Sequence, residues 1–299
     1  MRLACGDHSF PLLAHADVCR LAAMLGLEGI DIGLMGNRSH IRPEVIRGDV
    51  AGWADRVRAN VEEAGIEVAD LFLIPWTDFE TMAPNHPDAA QRGEAAEIFR
   101  LALDFAERIG ARGMTLLPGV DWPDEDHDTG LERSARELAW RVDEARGRDI
   151  RLSVEPHLGS NIATPAEAAR LVELTPGLEL TLDYGHFTYQ GIPDAEIEPL
   201  IAHSRHFHAR GAAPRRMQIG LKDNAIDYGR VVAAMQEQGY DGWLAVEYVW
   251  SDWERCDECD NVSETVLLRD RLQAAIDGRS WDYPDGLAQA AGAVVAGAA

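Results

Sequence analysis

Residues 180–187, LTLDYGHF, form an apolar run that ends in Asp183 and, three residues later, His186. Two explanations fit this stretch when it is taken alone. Either Asp183 caps a helix and His186 is an ordinary core histidine, or both side chains project from the tip of a strand into an active site. The arrangement of strands and helices on either side decides between them, and it also decides the fold.

Short runs of β-forming residues alternate with amphipathic stretches along the whole chain. The strand-like runs are RLACG (2–6), GIDIGL (29–34), VADLFLI (68–74), GMTLLPG (113–119), RLSVEPH (151–157), LELTLDYGHF (178–187), RHFHARG (205–211) and WLAVEYVW (243–250). The amphipathic stretches occupy residues 16–26, 49–65, 97–110, 131–147, 164–174, 195–204, 227–239 and 261–278. Thr164, Pro165 and Glu167 have the spacing of an N-cap, a first-turn proline and a capping box.

Eight strand–helix units in 299 residues, with no break in composition, predict an α/β fold: a single-domain (β/α)8 TIM barrel. A doubly wound open sheet is the alternative, but ACGDHSF at the end of the first strand lacks the G-x-G-x-x-G turn of such folds. We place the barrel at residues 1–283 and interpret 284–299, rich in small residues, as a mobile tail. Segment 74–93 is predicted to be a long lid or binding loop.

The composition excludes some classes of partner. The formal net charge is −23, from 51 acidic and 28 basic residues, and such a surface repels nucleic acid and anionic membranes. No run is long and apolar enough to span a bilayer, and no signal-peptide pattern opens the chain. We therefore expect a cytoplasmic protein with reduced thiols. Cys256 and Cys259 have the Cys-x-x-Cys spacing of zinc and redox sites, but no second ligand pair lies nearby, so a polar loop is favoured.

Polar side chains collect at the carboxyl-terminal ends of four consecutive predicted strands, where TIM barrels carry their chemistry. These residues are Glu155 and His157, Asp183 and His186, His206, His208 and Arg210, and Glu247. Because side chains alternate along a strand, Glu155 shares a face with His157, and His208 shares a face with Arg210. The apolar residues between them pack on the helices. We therefore expect the polar faces to meet in the barrel mouth.

Three carboxylates in one barrel mouth would repel one another and would be costly to desolvate. A bound divalent cation removes this conflict. Oxygen ligands with one imidazole suit Mn²⁺, Mg²⁺, Fe²⁺ or Co²⁺ better than a metal that prefers thiolates. Taken singly, each residue also has a structural interpretation, because a lone His208 fits a satisfied core histidine and a lone Asp183 fits a helix cap.

The motifs SVEPH, LTLDYGHF, RHFHARG and GYDGWLAVEY together resemble those of the xylose-isomerase-like barrels, the sugar isomerase/epimerase superfamily. The resemblance covers nearly the whole chain and is strongest over residues 153–248. It implies the metal ligands Glu155, Asp183, His208 and Glu247, with Mn²⁺ favoured. It also implies substrate contacts at His186 and Arg210. His157, on the same predicted face as Glu155, is assigned to the substrate site as well.

The implied chemistry is removal of a proton alpha to a carbonyl, giving an enediolate-like anion. Glu155 and Glu247 would lie on opposite sides of the substrate, one removing the proton and the other returning one. We therefore predict a divalent-metal-dependent isomerase or epimerase of a keto-sugar or polyol-derived ketone. The alternative is a lyase on the same scaffold, either an inosose-type dehydratase or a C-glycoside deglycosidase acting on a 3-oxo-sugar with an aromatic aglycone. Asn161 replaces an acid that ketose epimerases of the family often carry, and this departure favours the lyase.

Aromatic side chains follow several predicted strand ends. They are Trp76, Phe79, Trp122, Tyr189, Trp250 and Trp253. Such faces suit a sugar ring or an aromatic group, and packing among loops is the alternative. From this set Trp76, Trp122 and Trp250 are assigned to substrate binding. Segment 210–222 concentrates four basic residues in an acidic protein, and a solvated loop or subunit contact is favoured there over an anion site.

The expected partner is a small-molecule carbohydrate, without nucleic acid or membrane. We expect a homo-oligomer, or a hetero-oligomer with a small all-β subunit if the protein is a C-glycoside deglycosidase. Two other classes of protein fit the sequence less well. An apurinic endonuclease shares the barrel but needs a basic face, which the charge of −23 opposes. A non-catalytic binding barrel would be stable without metal.

Overall fold

The computed structural model describes residues 1–36 and 39–284. Within them, eight parallel strands close into a barrel in chain order, so the predicted (β/α)8 fold is confirmed. The strands are β1 (Arg2–Gly6), β2 (Gly29–Met35), β3 (Glu67–Ile74), β4 (Gly113–Leu116), β5 (Arg151–Val154), β6 (Glu179–Asp183), β7 (Ser204–Ala209) and β8 (Trp243–Val246). Pairing of β1 with β8, in the register Cys5↔Val246, closes the barrel.

The helices surround this barrel. They are α1 (His15–Met24), α2 (Pro43–Ile46), α3 (Val50–Ala64), α4 (Ala89–Ile109), α5 (His127–Arg146), α6 (Pro165–Leu174), α7 (Tyr184–Tyr189), α8 (Asp194–Ile197), α9 (Tyr228–Glu237) and α10 (Asn261–Ile276). Local chemistry sets many of their ends. The capping box predicted at Thr164 is present, with Glu167 bonding back to the Thr164 backbone. Gly65, at φ +71°, ends α3 in the left-handed conformation that glycine adopts without strain.

Two predicted elements differ from the structure. The sixth strand stops at Asp183 instead of running to Phe187, because Asp183 caps a short helix whose Gly185 N–H bonds its side chain. The helix predicted at 195–204 is a short α8 followed by a 3₁₀ segment, Glu198–His203. Pro199 lacks the N–H that a continuous α-helix would use at that position.

The core consists of apolar side chains between barrel and helices, while the barrel axis is polar. Near the lower end Arg205 pairs with Asp70, and Thr115 Oγ1 lies 2.7 Å from Thr181 Oγ1. Higher up, His206 Nε2 lies 2.8 Å from Asp31 Oδ2. These paired groups lie beneath the polar residues of the barrel mouth.

Residues 285–299 of the predicted C-terminal tail lie outside the described residues. The predicted loop at 74–93 is shorter than expected, since α4 begins at Ala89 after its cap Asp88. Among the described helices, none combines the length and apolarity needed to cross a membrane.

Candidate active site

Four neighbouring strands deliver the predicted metal ligands to one end of the barrel. Asp183 is the last residue of β6 and His208 lies in β7, while Glu155 and Glu247 directly follow β5 and β8. All four side chains are buried. Because the strands are parallel and adjacent, their carboxyl ends meet at a single opening.

Glu155 and Glu247 converge on the imidazole of His208. Its Nδ1 lies 2.6 Å from Glu155 Oε1 and 3.5 Å from Glu247 Oε2. One donor atom from each of these residues lies within 4.8 Å of the other two, which is a separation a single cation can bridge. Two carboxylates and an imidazole are donors that divalent first-row metals accept. The residues present therefore fit a divalent metal.

Asp183 has both of the roles that residues 180–187 suggested, helix cap and site residue. Its Oδ1 accepts the Gly185 N–H at 2.7 Å and caps α7, while its Oδ2 accepts from Arg210 Nε at 2.8 Å. His186 is no ordinary core histidine, because its Nε2 is buried without a hydrogen bond, 3.8 Å from both Asp183 Oδ2 and Glu155 Oε2. Asp183 is thus both a helix cap and a member of the site.

Arg210 joins two of the carboxylates. Besides Asp183, its guanidinium bonds Glu247 Oε2, and all three side chains are buried. The Tyr228 hydroxyl donates to the Arg210 carbonyl at 2.6 Å and fixes this segment. Arg210 therefore balances part of the negative charge that the predicted ligands bring together.

The two glutamates have unlike electrostatic environments. Burial raises the pKa of Glu155 above its ordinary value, and burial likewise raises the pKa of Asp183. At Glu247 the effect of burial is outweighed by Arg210 and His208, which hold the pKa well below its usual range. Burial acts to lower the pKa of His208, but Glu247 and Glu155 outweigh it and raise that pKa well above 6.5. Glu155 thus keeps a proton more readily than Glu247.

A small cavity of about 50 Å³ opens above these residues. It is lined by His8, Met35, Phe72, Ile74, Phe79, Glu155, His157, His186, Arg210, Glu247, Val249, Trp250 and Trp253. The predicted substrate residues His157, His186, Arg210 and Trp250 are therefore brought to one space. One wall is aromatic, since the His157 ring stacks on Trp253 at 5.2 Å and meets Phe79 edge-on at 4.5 Å.

Two other predicted substrate residues lie elsewhere. Trp76 is 45% exposed and is not among the residues that line the cavity. Trp122 lies against His86, with ring centroids 4.6 Å apart, and its indole N–H donates to Asn85 at 3.3 Å. The sequence places both residues in loops after strands, but the direction in which a loop side chain points depends on the folded loop.

Five residues of the cavity lining were not found from the sequence: His8, Met35, Phe72, Ile74 and Val249. His8 carries polar chemistry, since its Nε2 lies 2.8 Å from Glu247 Oε1. The signal that could have found it is the adjacent pair Asp7–His8 directly after the first strand, since an acid and a histidine, there three residues apart, also mark the end of the sixth strand. Burial acts to lower the pKa of His8, but Asp7 and Glu247 outweigh it and raise that pKa to about 9.

Asp7 itself is fully buried among three imidazoles. Its Oδ1 lies 3.5 Å from His8 Nδ1, and its Oδ2 lies 3.5 Å from His40 Nδ1 and 3.7 Å from His15 Nε2. Burial acts to raise the pKa of Asp7, but the nearby imidazoles of His40 and His8 outweigh it and hold the pKa well below the usual range.

The remaining sequence signals fall outside the cavity lining. Asn161 is buried and donates to Ser134 Oγ at 2.8 Å. In the basic segment, Arg216 lies 3.5 Å from Glu258. Cys256 and Cys259 form no disulfide, and neither belongs to the donor groups that the described residues form.

Residues 19–274 match the model of the xylose isomerase-like TIM barrels, and the chain belongs to this family. An inosose dehydratase of Lacticaseibacillus casei is 28% identical over 182 residues, which are 48% of this chain and 59% of that protein. The L-ribulose-5-phosphate 3-epimerase UlaE of Shigella boydii is 24% identical over 220 residues, 72% of this chain and 74% of that protein. The crystal structure of the IOLI protein with a bound zinc atom superposes with a TM-score of 0.70 at 15% identity, covering 94% of this chain and 100% of that one, a likeness of fold.

Proposed function

We propose that this protein is a divalent-metal-dependent isomerase or epimerase that removes a proton alpha to the carbonyl of a keto-sugar or polyol-derived ketone. One observation carries the proposal. Glu155 follows β5 and Glu247 follows β8; both approach His208 of β7, and both line the same cavity. This is the arrangement that a two-carboxylate proton transfer requires. The relatedness to an epimerase and a dehydratase, both carbohydrate enzymes by name, supports it.

Glu155, Asp183, His208 and Glu247 would hold the cation, and their oxygen and nitrogen donors make Mn²⁺ our first choice. When bound, such a cation polarises a carbonyl and its adjacent hydroxyl. The zinc in the IOLI structure supports a metal in this fold and leaves the identity of the ion to be measured.

The protein's own groups divide the remaining work. One of Glu155 and Glu247 removes the alpha proton and the other returns a proton to the substrate. Their opposite pKa shifts suit unlike roles for two carboxylates. Arg210 and the unpartnered Nε2 of His186 face the cavity and orient substrate oxygens. The wall of Phe79, His157 and Trp253 packs on the apolar face of a sugar and excludes water from the reacting carbon.

A lyase is the second candidate, and one observation favours it. Asn161, at a position where an epimerase would place an acid toward the substrate, is buried against Ser134 and is not in the cavity lining. If the substrate carries a leaving group beta to the new carbanion, the electron pair forms a double bond and expels that group. The 28% sequence identity to an inosose dehydratase over 182 residues is consistent with this outcome. If the protein is a C-glycoside deglycosidase, a small all-β subunit should co-purify; otherwise we propose a homo-oligomer.

The test replaces each proton carrier without changing its size. Glu155→Gln and Glu247→Gln are incubated with ketose and inosose substrates in D₂O, and the alpha proton is followed by NMR. Turnover should fall about 10²–10⁴-fold in both, the usual contribution of general acid–base catalysis. The variant without the abstracting base should stop exchanging the alpha proton, and the other should retain some exchange while forming little product.

Glu264→Gln is the matched control, because Glu264 accepts the Leu221 N–H and lies outside the cavity lining. It should turn over like the wild-type enzyme. Unimpaired turnover in either active-site variant would show that its carboxylate takes no part in proton transfer and would refute the two-carboxylate mechanism.

A further inference from the structure

A buried pair at the end of the first strand contacts the proposed proton carrier Glu247. Asp7 and His8 lie in a 3₁₀ turn, Asp7–Ser9, directly after β1. His8 Nε2 lies 2.8 Å from Glu247 Oε1, and His8 Nδ1 lies 3.5 Å from Asp7 Oδ1. A carboxylate only accepts hydrogen bonds, so the ring donates at Nε2. The three groups form a line from Asp7 through the imidazole to the glutamate.

Two glycines leave room for this pair. A Cβ on Gly6 would lie 2.5 Å from His8 Cε1, and a Cβ on Gly33 would lie 3.0 Å from Asp7 Oδ1 and 3.2 Å from His8 Nδ1. The Gly33 N–H also donates to Asp7 Oδ1 at 2.9 Å. The backbone of β1 and β2 is therefore shaped around the pair, which is the mark of a built arrangement rather than a chance contact.

We propose that His8, which forms an ion pair with Asp7 at 3.5 Å, is a positioning residue that fixes the orientation of the Glu247 carboxylate. Its Nε2–H holds Oε1, which leaves Oε2 directed toward His208 Nδ1 at 3.5 Å and toward Arg210. A carboxylate with one oxygen held in this way cannot turn its second oxygen out of the site. This inference rests on the proposed function of Glu247 and extends it to residues at the opposite end of the chain.

The experiment compares His8→Phe, His8→Gln, Asp7→Asn and the double variant Asp7→Asn/His8→Phe. Each is measured for kcat and KM and, without substrate, for Mn²⁺ affinity by calorimetry. His8→Phe removes the donor and should lose about 10- to 100-fold in kcat and in Mn²⁺ affinity, with KM little changed, as for other residues that orient a ligand. His8→Gln should recover most of the loss, because its amide can donate from nearly the position of Nε2.

Asp7 acts only through His8 in this proposal. Asp7→Asn should therefore lose less than His8→Phe, and the double variant should be no worse than His8→Phe alone. His127→Phe and His127→Gln are the matched controls, because His127 pairs with Asp121 at 3.0 Å outside the cavity lining. Both should retain wild-type constants.

Additive losses in the double variant, or no rescue by His8→Gln, would overturn the proposal. So would a His8→Phe variant with wild-type kcat and Mn²⁺ affinity. If His8→Phe does not fold, the comparison of His8→Gln with Asp7→Asn decides, since a nearly unimpaired Asp7→Asn would refute the role of Asp7. Wild-type enzyme that binds Mn²⁺ yet exchanges no alpha proton would refute the proposed function instead, and the Mn²⁺ affinities would still judge the positioning role.

Discussion

Arg210 offers the sharpest test of the charge balance in the barrel mouth. Its side chain is 4% exposed, and it bonds two buried carboxylates, Asp183 Oδ2 at 2.8 Å and Glu247 Oε2. Arg210→Met keeps much of the length of the side chain but removes its charge. In the metal-free protein both carboxylates would then stay buried with less compensation.

The burial of this ion pair determines the expected loss in the free energy of unfolding. Removing one partner of a buried ion pair typically costs about 3–5 kcal/mol, because the other partner stays buried without compensation. With an unfolding entropy of roughly 2.1 cal/mol/K per residue over 299 residues, this loss lowers Tm by about 5–8 °C. Added Mn²⁺ should stabilise the variant more than the wild-type protein, because a bound cation restores the missing positive charge.

The assay is thermal unfolding with EDTA and with saturating Mn²⁺. Arg141→Met is the matched control, since Arg141 is also buried and bonds Glu137 Oε2 at 2.8 Å, outside the barrel mouth. It should be destabilised to the same extent with and without Mn²⁺. If Arg210→Met melts like the wild-type protein in EDTA, or if Mn²⁺ raises the Tm of both proteins equally, the charge argument fails.

Further predictions concern the metal, the cavity wall and pH. Asp183→Asn keeps the helix cap and His208→Ala removes the imidazole; both should lose bound metal and nearly all activity while the barrel stays folded, and full occupancy by metal analysis in both would contradict the assigned ligands. Trp250→Ala should raise KM more than it lowers kcat, and more than Trp76→Ala does, because only Trp250 lines the cavity; steady-state kinetics that show equal effects would contradict this. Asp7 has a depressed pKa, so its stabilising contribution is present above its unfolded pKa of about 3.9 and is lost as pH falls below it. In EDTA, urea unfolding should therefore show a steeper loss of stability below about pH 4 for the wild-type protein than for Asp7→Asn, and equal slopes would refute it.

Much of the barrel and part of the site were predictable because their signals are local. Helix α6 begins where the capping box at Thr164 predicts, and α3 (Val50–Ala64) lies within the amphipathic stretch at 49–65. The alternation of apolar and polar residues placed Glu155 and His208 on inward faces, since strand periodicity depends on the backbone alone. The boundary of β6 was wrong by four residues, because one side-chain hydrogen bond from Asp183 decided where the strand ends.

The sequence did not predict the direction in which loop side chains point. Trp76 and Trp250 follow strands in the same way, yet only Trp250 lines the cavity. The packing of each loop on its neighbours determines where its side chains point. A sequence pattern of two or three residues does not specify that packing.

The sequence by itself determined the number and order of the strand–helix units and the polar residues at four strand tips. Only the tertiary structure decided that Asp7 and His8 belong to the same site, since His8 and Glu247 are 239 residues apart in the chain. The physical reason is the closure of the barrel. Pairing of β1 with β8 in the register Cys5↔Val246 brings the residues that follow both strands to the same edge. That register results from the packing of all eight strands together, which no single stretch of the sequence specifies.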